Sequence, residues 1–418
     1  MARAIKIIIV GNGFGGVYAL KYLHKLFHKR SNIHQAEITL IGEKNYFLFT
    51  PLLHEVATGS INPENIIEPI RKVFDCRLDN FFLGKVERVD LEGHTVNVDH
   101  SVLSYDYLVL APGAETNFYN IPGAKEYSMP LKSLEDAIRI KNQCIMQMEK
   151  AAHTENLVER KKNLTFVIVG GGPTGVELAT ELVEFIQENF SRYHFREVTD
   201  DASVILIQNA PELVPQFGIK MQRESLRKLQ EKGIKVMLET AVKEVTPSGV
   251  VLNNDMRISA TNVIWVAGVK PVGITFDENI ERNKGGQIIV SDHLSLPGHE
   301  EVFVIGDSAA FKDNGSNQKL PALAQAAQKE AWAVAKNIER AFHNKKQKPF
   351  FYRHSGNLMS LGQWMAVGEI WHVTFSGRIA WSLWRTVYLC KLISFRKKIR
   401  VAFDWIVNIF TPRDISQF

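Results

Sequence analysis

The sequence predicts an α/β fold: two parallel-sheet domains built on βαβ units, followed by an amphipathic helical C-terminal region. Three observations predict it. A strand, a glycine turn, a helix and a second strand occur in that order twice, about 160 residues apart. Residues 351–418 hold nine Lys/Arg against three Asp/Glu, whereas residues 1–350 sum to −1. The length of 418 residues exceeds one ordinary domain of roughly 150.

The first unit opens with the β-branched run Ile5 to Val10. The turn Gly11-Asn12-Gly13-Phe14-Gly15-Gly16 follows. A helical pattern then runs from Val17 to Lys29, with Ala19, Leu20, Leu23 and Leu26/Phe27 on one face, and a strand from Glu37 to Ile41 ends near Glu43. Short strands over Lys85 to Val98 turn at Glu92-Gly93, and the strand Tyr107 to Leu110 ends in Ala111-Pro112-Gly113-Ala114. The second unit repeats the plan: strand Leu164 to Val169, turn Gly170-Gly171-Gly172-Pro173-Thr174-Gly175, helix Val176 to Phe190, and strand Ser203 to Ile207. Strands over 235–238, 241–245, 250–252 and 263–266 follow, the last ending in Ala267-Gly268. A late strand, Glu301 to Ile305, runs into Gly306-Asp307, and Ala322 to Ala341 reads as a long helix. The charged break at 344–349 precedes the basic C-terminal region.

Composition excludes several classes. With 45% apolar and 23% charged residues, wholesale disorder is ruled out. Cys76, Cys144 and Cys390 are far apart and form no CxxC, so neither a disulfide framework nor a metal site is expected. No signal peptide is expected, because Met1 to Val10 leads directly into a strand and a glycine turn. The longest apolar stretch near the C-terminus, Ile379 to Phe395, contains Arg385 and Lys391, so a transmembrane helix is not expected.

Gly11, Gly13 and Gly16 satisfy GxGxxG between a strand and a helix. The first glycine permits the tight turn, the second lets backbone approach a pyrophosphate, and the third lets helix and strand pack closely. Free N–H groups at the helix start face the negative charge. Glu43, at the end of the next strand, is placed to accept from a ribose diol; the plain alternative is a solvated carboxylate. Gly170, Gly172 and Gly175 repeat the motif, with Pro173 and Thr174 inside it, but Gln208 stands where the acid is expected. A carboxylate there would select NADH against NADPH; an amide leaves both open. Two dinucleotide sites in one chain imply a held FAD and an exchanging NAD(P)H.

With these motifs in place, the chain resembles a type II NADH dehydrogenase. These are non-proton-pumping NAD(P)H:quinone oxidoreductases of the two-dinucleotide-domain flavoproteins. The stretch Tyr46 to Leu53, with Thr50, Pro51 and Leu52, and the following Val56-Ala57-Thr58-Gly59 match a segment lying near the flavin in that family. Ala111, Pro112 and Gly113 resemble its crossover over FAD. Gly306 and Asp307 resemble the second FAD motif, whose aspartate binds the ribityl chain. The run Pro321 to Lys329 resembles the quinone motif: Ala324 and Gln325 match its start, while Lys329 stands in place of a second glutamine and Gln328 falls one position early. Glu177 matches a glutamate between the nicotinamide and quinone sites; the plain alternative is an acid meeting the helix dipole.

The resemblance also implies two Rossmann-like domains with the NAD domain inserted in the FAD domain. The expected organisation is 1–120 and 283–350 for the FAD domain, 121–162 for a helical connection, 163–282 for the NAD(P)H domain and 351–418 for membrane association. Between Arg378 and Phe403 there are seven basic residues and no acidic one, with Trp371, Trp381, Trp384, Tyr388 and Trp405 interleaved along the tail. Lys397, Arg400, Asp404 and Asn408 share one helix face, and Ile399, Phe403, Ile406 and Phe410 lie largely opposite. This is the pattern of a helix in a membrane interface, with cations near phosphates. A homodimer interface in the same region is compatible with it, and nucleic acid is not expected as a partner. The expected protein is peripheral, on a cytoplasmic or equivalent reducing face, passing electrons from NADH or NADPH through FAD to a quinone. A sulfide:quinone oxidoreductase would share the fold but needs cysteines beside the flavin. A disulfide reductase needs CxxC. A flavin-binding redox sensor would lack steady turnover.

Overall fold

The computed structural model describes residues 3–27, 35–73, 79–193, 196–312, 323–371 and 373–417. Cys76, Pro321 and Ala322, singled out from the sequence, lie outside the described residues. The chain divides into two compact units. One comprises Met1–Phe47, Glu68–Glu115 and Val269–His354; the other comprises Leu48–Ile67, Thr116–Gly268 and Ser355–Phe418.

The first unit is built on a sheet in the order Ser295–Leu296, His299–Val304, Tyr107–Leu110, Ile5–Val10, Ala36–Gly42, Asp79–Leu83. All pairings are parallel except the first, which is antiparallel. Strands buried on both faces read as continuous apolar runs, and Ile7 to Val10 and Leu108 to Leu110 are buried throughout. On one face Val10, Ile41, Leu110, Val302 and Val304 join Val89, Val96 and Val98 of a small second sheet in one core. The helix Phe14–Phe27 buries Val17, Ala19, Leu20 and Leu23. It pairs with the helix Ala324–Phe342 through ring contacts Tyr22–Trp332 and Phe27–Phe342.

The second unit is built on an all-parallel sheet in the order Met129–Pro130, Asn262–Trp265, Thr165–Val169, Ser203–Ile207, Lys235–Met237. Its core joins Val167, Val169, Ile205 and Ile207 to Val242, Val250 and Leu252 of a three-stranded antiparallel sheet. The helix Pro173–Glu184 starts at Gly172 and continues as a π-helical turn over Phe185–Asn189, where a plain helix to Phe190 is expected from sequence. The helix Leu134–Ala152 is opened by a capping box, Ser133 accepting from the Asp136 N–H and Asp136 from the Ser133 N–H.

The structure adds two features to the expected organisation. Residues 48–67 cluster with the second compact unit, where the helix Leu53–Ala57 packs on Leu134–Ala152 and Pro173–Glu184. The C-terminal region holds strands as well as the expected helices. An antiparallel meander, Asn357–Ser360, Ala366–Ile370 and Val373–Gly377, precedes the helices Arg378–Lys391 and Phe395–Phe410. Alternation in those strands is short and interrupted by Gly362, Gly368 and Gly377, which hides the pattern. Among the described residues, no helix is long and apolar enough to cross a membrane.

Candidate functional site

Each glycine turn is a cradle whose shape excludes side chains at its ends and leaves room at its centre. Gly11 has φ +100°, and a Cβ there would stand 2.0 Å from the Ala111 carbonyl oxygen. A Cβ on Gly16 would stand 1.7 Å from the Gly11 oxygen, whereas one on Gly13 would meet nothing within 4 Å. Gly15 sits tight against Ala111 and Ile305, and the Phe14 ring packs edge-on to Phe47. Asn12 donates to the carbonyls of Lys44 and Tyr46, each at 2.7 Å, which holds the turn to the strand end beside exposed Glu43. Ala111 donates its N–H to Val10, and Pro112 and Gly113 continue past the turn, with Gly113 at φ +77°.

The second FAD-type motif belongs to the same unit. Ile305 donates to the Leu110 carbonyl, and Ser308 Oγ donates to the Gly113 carbonyl at 2.9 Å. Gly306, at φ +71°, donates its N–H to Glu330 Oε2 at 2.5 Å. Asp307 is half-buried, and its carbonyl accepts from Gln287 at 3.0 Å. Glu330, buried in the helix Ala324–Phe342, has its carboxyl pushed up to about 7 by burial, against the Gly306 bond, with Asp307 adding to the rise. Glu330 and Gln287 were not singled out from sequence, because a lone polar residue in a helix or strand carries no motif.

The second turn is a close copy. Gly170 has φ +117°, and its Cβ would stand 2.6 Å from Val266 and Ala267 backbone. A Cβ on Gly175 would meet the Gly170 oxygen at 1.9 Å, and one on Gly172 would meet nothing within 4 Å. Pro173 and Thr174 form the first turn of the helix. Ala267 and Gly268 close the adjacent strand end, where Gly268 accepts from Asn117 at 3.0 Å and lies against Tyr119. Gln208 is tied back to the turn and to the chain beyond it. Its Oε1 accepts from the Gly171 N–H at 2.9 Å and its Nε2 donates to the Glu212 carbonyl at 3.2 Å. Both cradles fit a dinucleotide pyrophosphate: each has open space where its central glycine lacks a side chain.

The helix that starts at the second cradle carries three buried carboxylates, Glu177, Glu181 and Glu184, at i, i+4 and i+7 on one face. Only Glu177 was expected; the spacing of acids in an otherwise apolar helix is the signal for the other two. Glu177 Oε1 accepts from the Ser360 N–H at 3.1 Å, and its Oε2 lies 3.7 Å from His54 Nδ1. Burial, partly offset by the Ser360 bond and helped by Glu55 and Glu181, pushes the Glu177 carboxyl up to about 8. Burial holds His54 down at about 4, so at neutral pH Glu177 keeps its proton beside a neutral imidazole. Glu181 is the ionised member. Burial alone would raise it, but Arg413 at 2.8 Å, with Ser60 Oγ at 3.1 Å, holds it below the usual range. Glu184 receives Lys232 Nζ at 2.5 Å and the Gln363 N–H, yet burial and Glu181 raise it to about 7. Glu55 receives Trp405 Nε1 at 2.5 Å and is raised to about 7 by burial and Glu181.

Other expected residues fall as follows. Thr50, Pro51 and Leu52 form a short 3-10 turn in the second unit, with neighbouring Phe49 edge-on to Tyr388. Ala324, Gln325 and Lys329 lie on the first two turns of the helix Ala324–Phe342 in the first unit. Lys329 Nζ donates to the Arg353 carbonyl and sits 5.1 Å from the Tyr352 ring centroid. In the tail the polar helix face is turned inward. Asn62 and Asn65 bond Asp404, Asn408 donates to the Ser60 carbonyl, and Lys397 donates to the Glu64 carbonyl. Lys397 is therefore a docking residue rather than one held free for phosphate. The apolar face points outward, with Phe395 76%, Phe403 64% and Phe410 78% exposed. Cys144 is buried, with its thiol pushed up by burial, and Cys390 is exposed on the helix Arg378–Lys391.

Comparison with known proteins agrees with this geometry. Residues 5–331 match the pyridine nucleotide-disulphide oxidoreductase family, and residues 354–414 match the NDH2 C-terminal domain. The chain is 32% identical to a type II NADH:quinone oxidoreductase of Mycobacterium tuberculosis, over 98% of this chain and 89% of that protein. It is 32% identical to a probable NADH dehydrogenase of Dictyostelium discoideum, over 99% and 91%. Its fold superposes on the NDH2 of Plasmodium falciparum solved in complex with NADH with a TM-score of 0.90, at 23% identity, covering 99% of this chain and 100% of that one. The chain belongs to the type II NADH:quinone oxidoreductases, membrane-associated FAD enzymes that oxidise NADH and reduce a quinone without pumping protons.

Proposed function

We propose that this chain takes a hydride from NADH, passes two electrons to a quinone at a lipid surface, and supplies a proton from Glu177. The observation that supports this best is the juxtaposition of a nucleotide cradle and a protonated buried acid on one helix: Gly172 opens the helix that carries Glu177. Bound FAD supplies the two-electron acceptor and donor chemistry. Gly11, Gly13, Gly15 and Gly16, with Phe14, would hold its pyrophosphate, Glu43 its ribose and Asp307 its ribityl chain. Residues 111–113 would border its ring. The Gly170–Gly175 turn would hold NADH, with Ala267 and Gly268 beside the nicotinamide. Ala324, Gln325 and Lys329 would line the quinone approach.

The outward row Phe395, Ile399, Phe403, Ile406 and Phe410, beside exposed Arg396, supports insertion into a lipid interface. Each buried phenylalanine contributes roughly 1.5–3 kcal/mol, so Phe403→Glu with Phe410→Glu should lower partition onto anionic vesicles at least about tenfold. Unchanged co-sedimentation would remove the lipid assignment.

The reaction itself is tested by anaerobic spectroscopy of the purified protein in detergent. The yellow colour should bleach with NADH and return with a short-chain quinone. A yellow protein that NADH does not bleach would overturn the reading in favour of a sensor.

A further inference from the structure

The buried carboxylate pocket holds more charge than a proton donor requires, and the source of its cation is unexpected. Arg413 lies beyond the last helix, three residues after exposed Phe410, yet it is 8% exposed. Its guanidinium contacts Glu181 Oε2 at 2.8 Å, lies 3.7 Å from Glu184 Oε2, and reaches the Thr58 carbonyl at 3.4 Å. Each acid in the pocket has a different partner. Glu184 has Lys232, Glu55 has the Trp405 indole, and Glu181 has Arg413. Among the described residues, Glu177 has no Lys or Arg within ion-pair distance; it faces His54, whose Nε2 has no partner, and the phenol of Tyr388 adds no charge. A second interior cation, Arg385, is stacked between the Trp381 and Trp405 rings at 3.8 and 4.7 Å, and its charge also favours ionised Glu55 and Glu181, without forming an ion pair to either. Lys141, from the helix Leu134–Ala152, answers Asp414 rather than the glutamates.

We propose that Arg413 is a positioning residue of proton supply: the C-terminal segment carries it inside to fix the pocket's negative charge on Glu181, leaving the transferable proton on Glu177 beside His54. The inference rests on the reading of Glu177 as proton donor and adds the residue that selects which glutamate holds the proton. A buried ion pair is a poor stabiliser compared with apolar packing, so stability alone gives little reason to thread an arginine from the chain's end into this pocket. Removing a cation raises the proton affinity of every carboxylate near it. In R413Q, Glu181 loses its counter-ion and takes up a proton, so its charge no longer raises Glu177, and Glu177 gives up its proton at lower pH.

The test is the pH profile of kcat for NADH oxidation by a short-chain quinone, using the full-length FAD-loaded enzyme in detergent. In R413Q the alkaline limb should move down by about one pH unit. R413K, which keeps the charge, should leave it in place. R413Q with E181Q also lacks the Glu181 charge and should show the limb of R413Q with no further shift; a tail that only clamps the fold would make the double variant worse than either single one. An unmoved or raised limb in R413Q, or a further shift in the double variant, would overturn the role of Arg413. E177Q separates the two readings. If it lowers kcat by about a hundredfold and abolishes the limb while R413Q changes nothing, the Glu177 reading stands and the Arg413 inference falls. If E177Q keeps the wild-type limb, the Glu177 reading fails and takes the inference with it.

Discussion

The two glycine cradles are nearly the same object, and the helices they open are not. Gly11 and Gly170 both take positive φ against a crossing strand end, and Gly16 and Gly175 both press against the first glycine's carbonyl. After the first cradle, the helix Phe14–Phe27 buries only small and apolar residues on the sheet. After the second, the helix Pro173–Glu184 buries three glutamates. The first helix is a support for a bound dinucleotide. The second is a support that also holds protons. Backbone requirements set by a pyrophosphate recur because the ligand feature recurs; the face behind the cradle is free to carry different chemistry.

The strongest way to break this comparison is to fill each cradle. Gly11→Val should abolish FAD binding, because its Cβ would meet the Ala111 carbonyl at 2.0 Å at a φ that valine resists. Gly170→Val should leave the protein yellow and unable to be bleached by NADH. A visible spectrum with and without NADH reads both; a colourless Gly170→Val protein would mean the cradles are not independent.

A smaller effect should come from the strand ends, Glu43 exposed and Gln208 tied back to Gly171 and Glu212. Gln208→Glu should raise the preference for NADH over NADPH by about tenfold or less, measured as the ratio of kcat/KM values. An unchanged ratio would place nucleotide choice elsewhere in the turn.

The smallest is a stability difference between the helices. Glu177 has its folded pKa raised from 4.5 to about 8, so its contribution is fully present below about 4.5 and is lost as pH rises through about 8. Glu177→Gln removes that dependence. Its Tm should therefore fall less than that of the wild type between neutral pH and pH 9. Parallel Tm curves for the two proteins would show that Glu177 is already ionised in the fold.

Much of the architecture was legible because it rests on local chemistry. The strand Ile5–Val10, the two GxGxxG turns and the parallel order they imply follow from β-branched runs and glycines at fixed spacing. The tail's amphipathic helix was legible for the same reason, since Ile399, Phe403, Ile406 and Phe410 recur at helical spacing. The meander at 357–377 was not, because its strands are short and glycine-broken. Nor was the pairing of Gln208 with Gly171 and Glu212, which depends on where the strand end meets the turn.

The amino-acid sequence by itself determined the two nucleotide cradles, the family and the presence of an apolar tail face, because each is written in residue types at short range. Only the tertiary structure decided which way that tail face points and which glutamate holds a proton. Asp404 and Asn408 turn inward because Asn62, Asn65 and Ser60 offer them hydrogen bonds there. Burial holds the Glu177 carboxyl up, whereas a guanidinium more than 200 residues away in the chain comes to rest beside Glu181 and holds it down. Proton affinity depends on burial and neighbouring charge, and those neighbours meet only when the chain has folded.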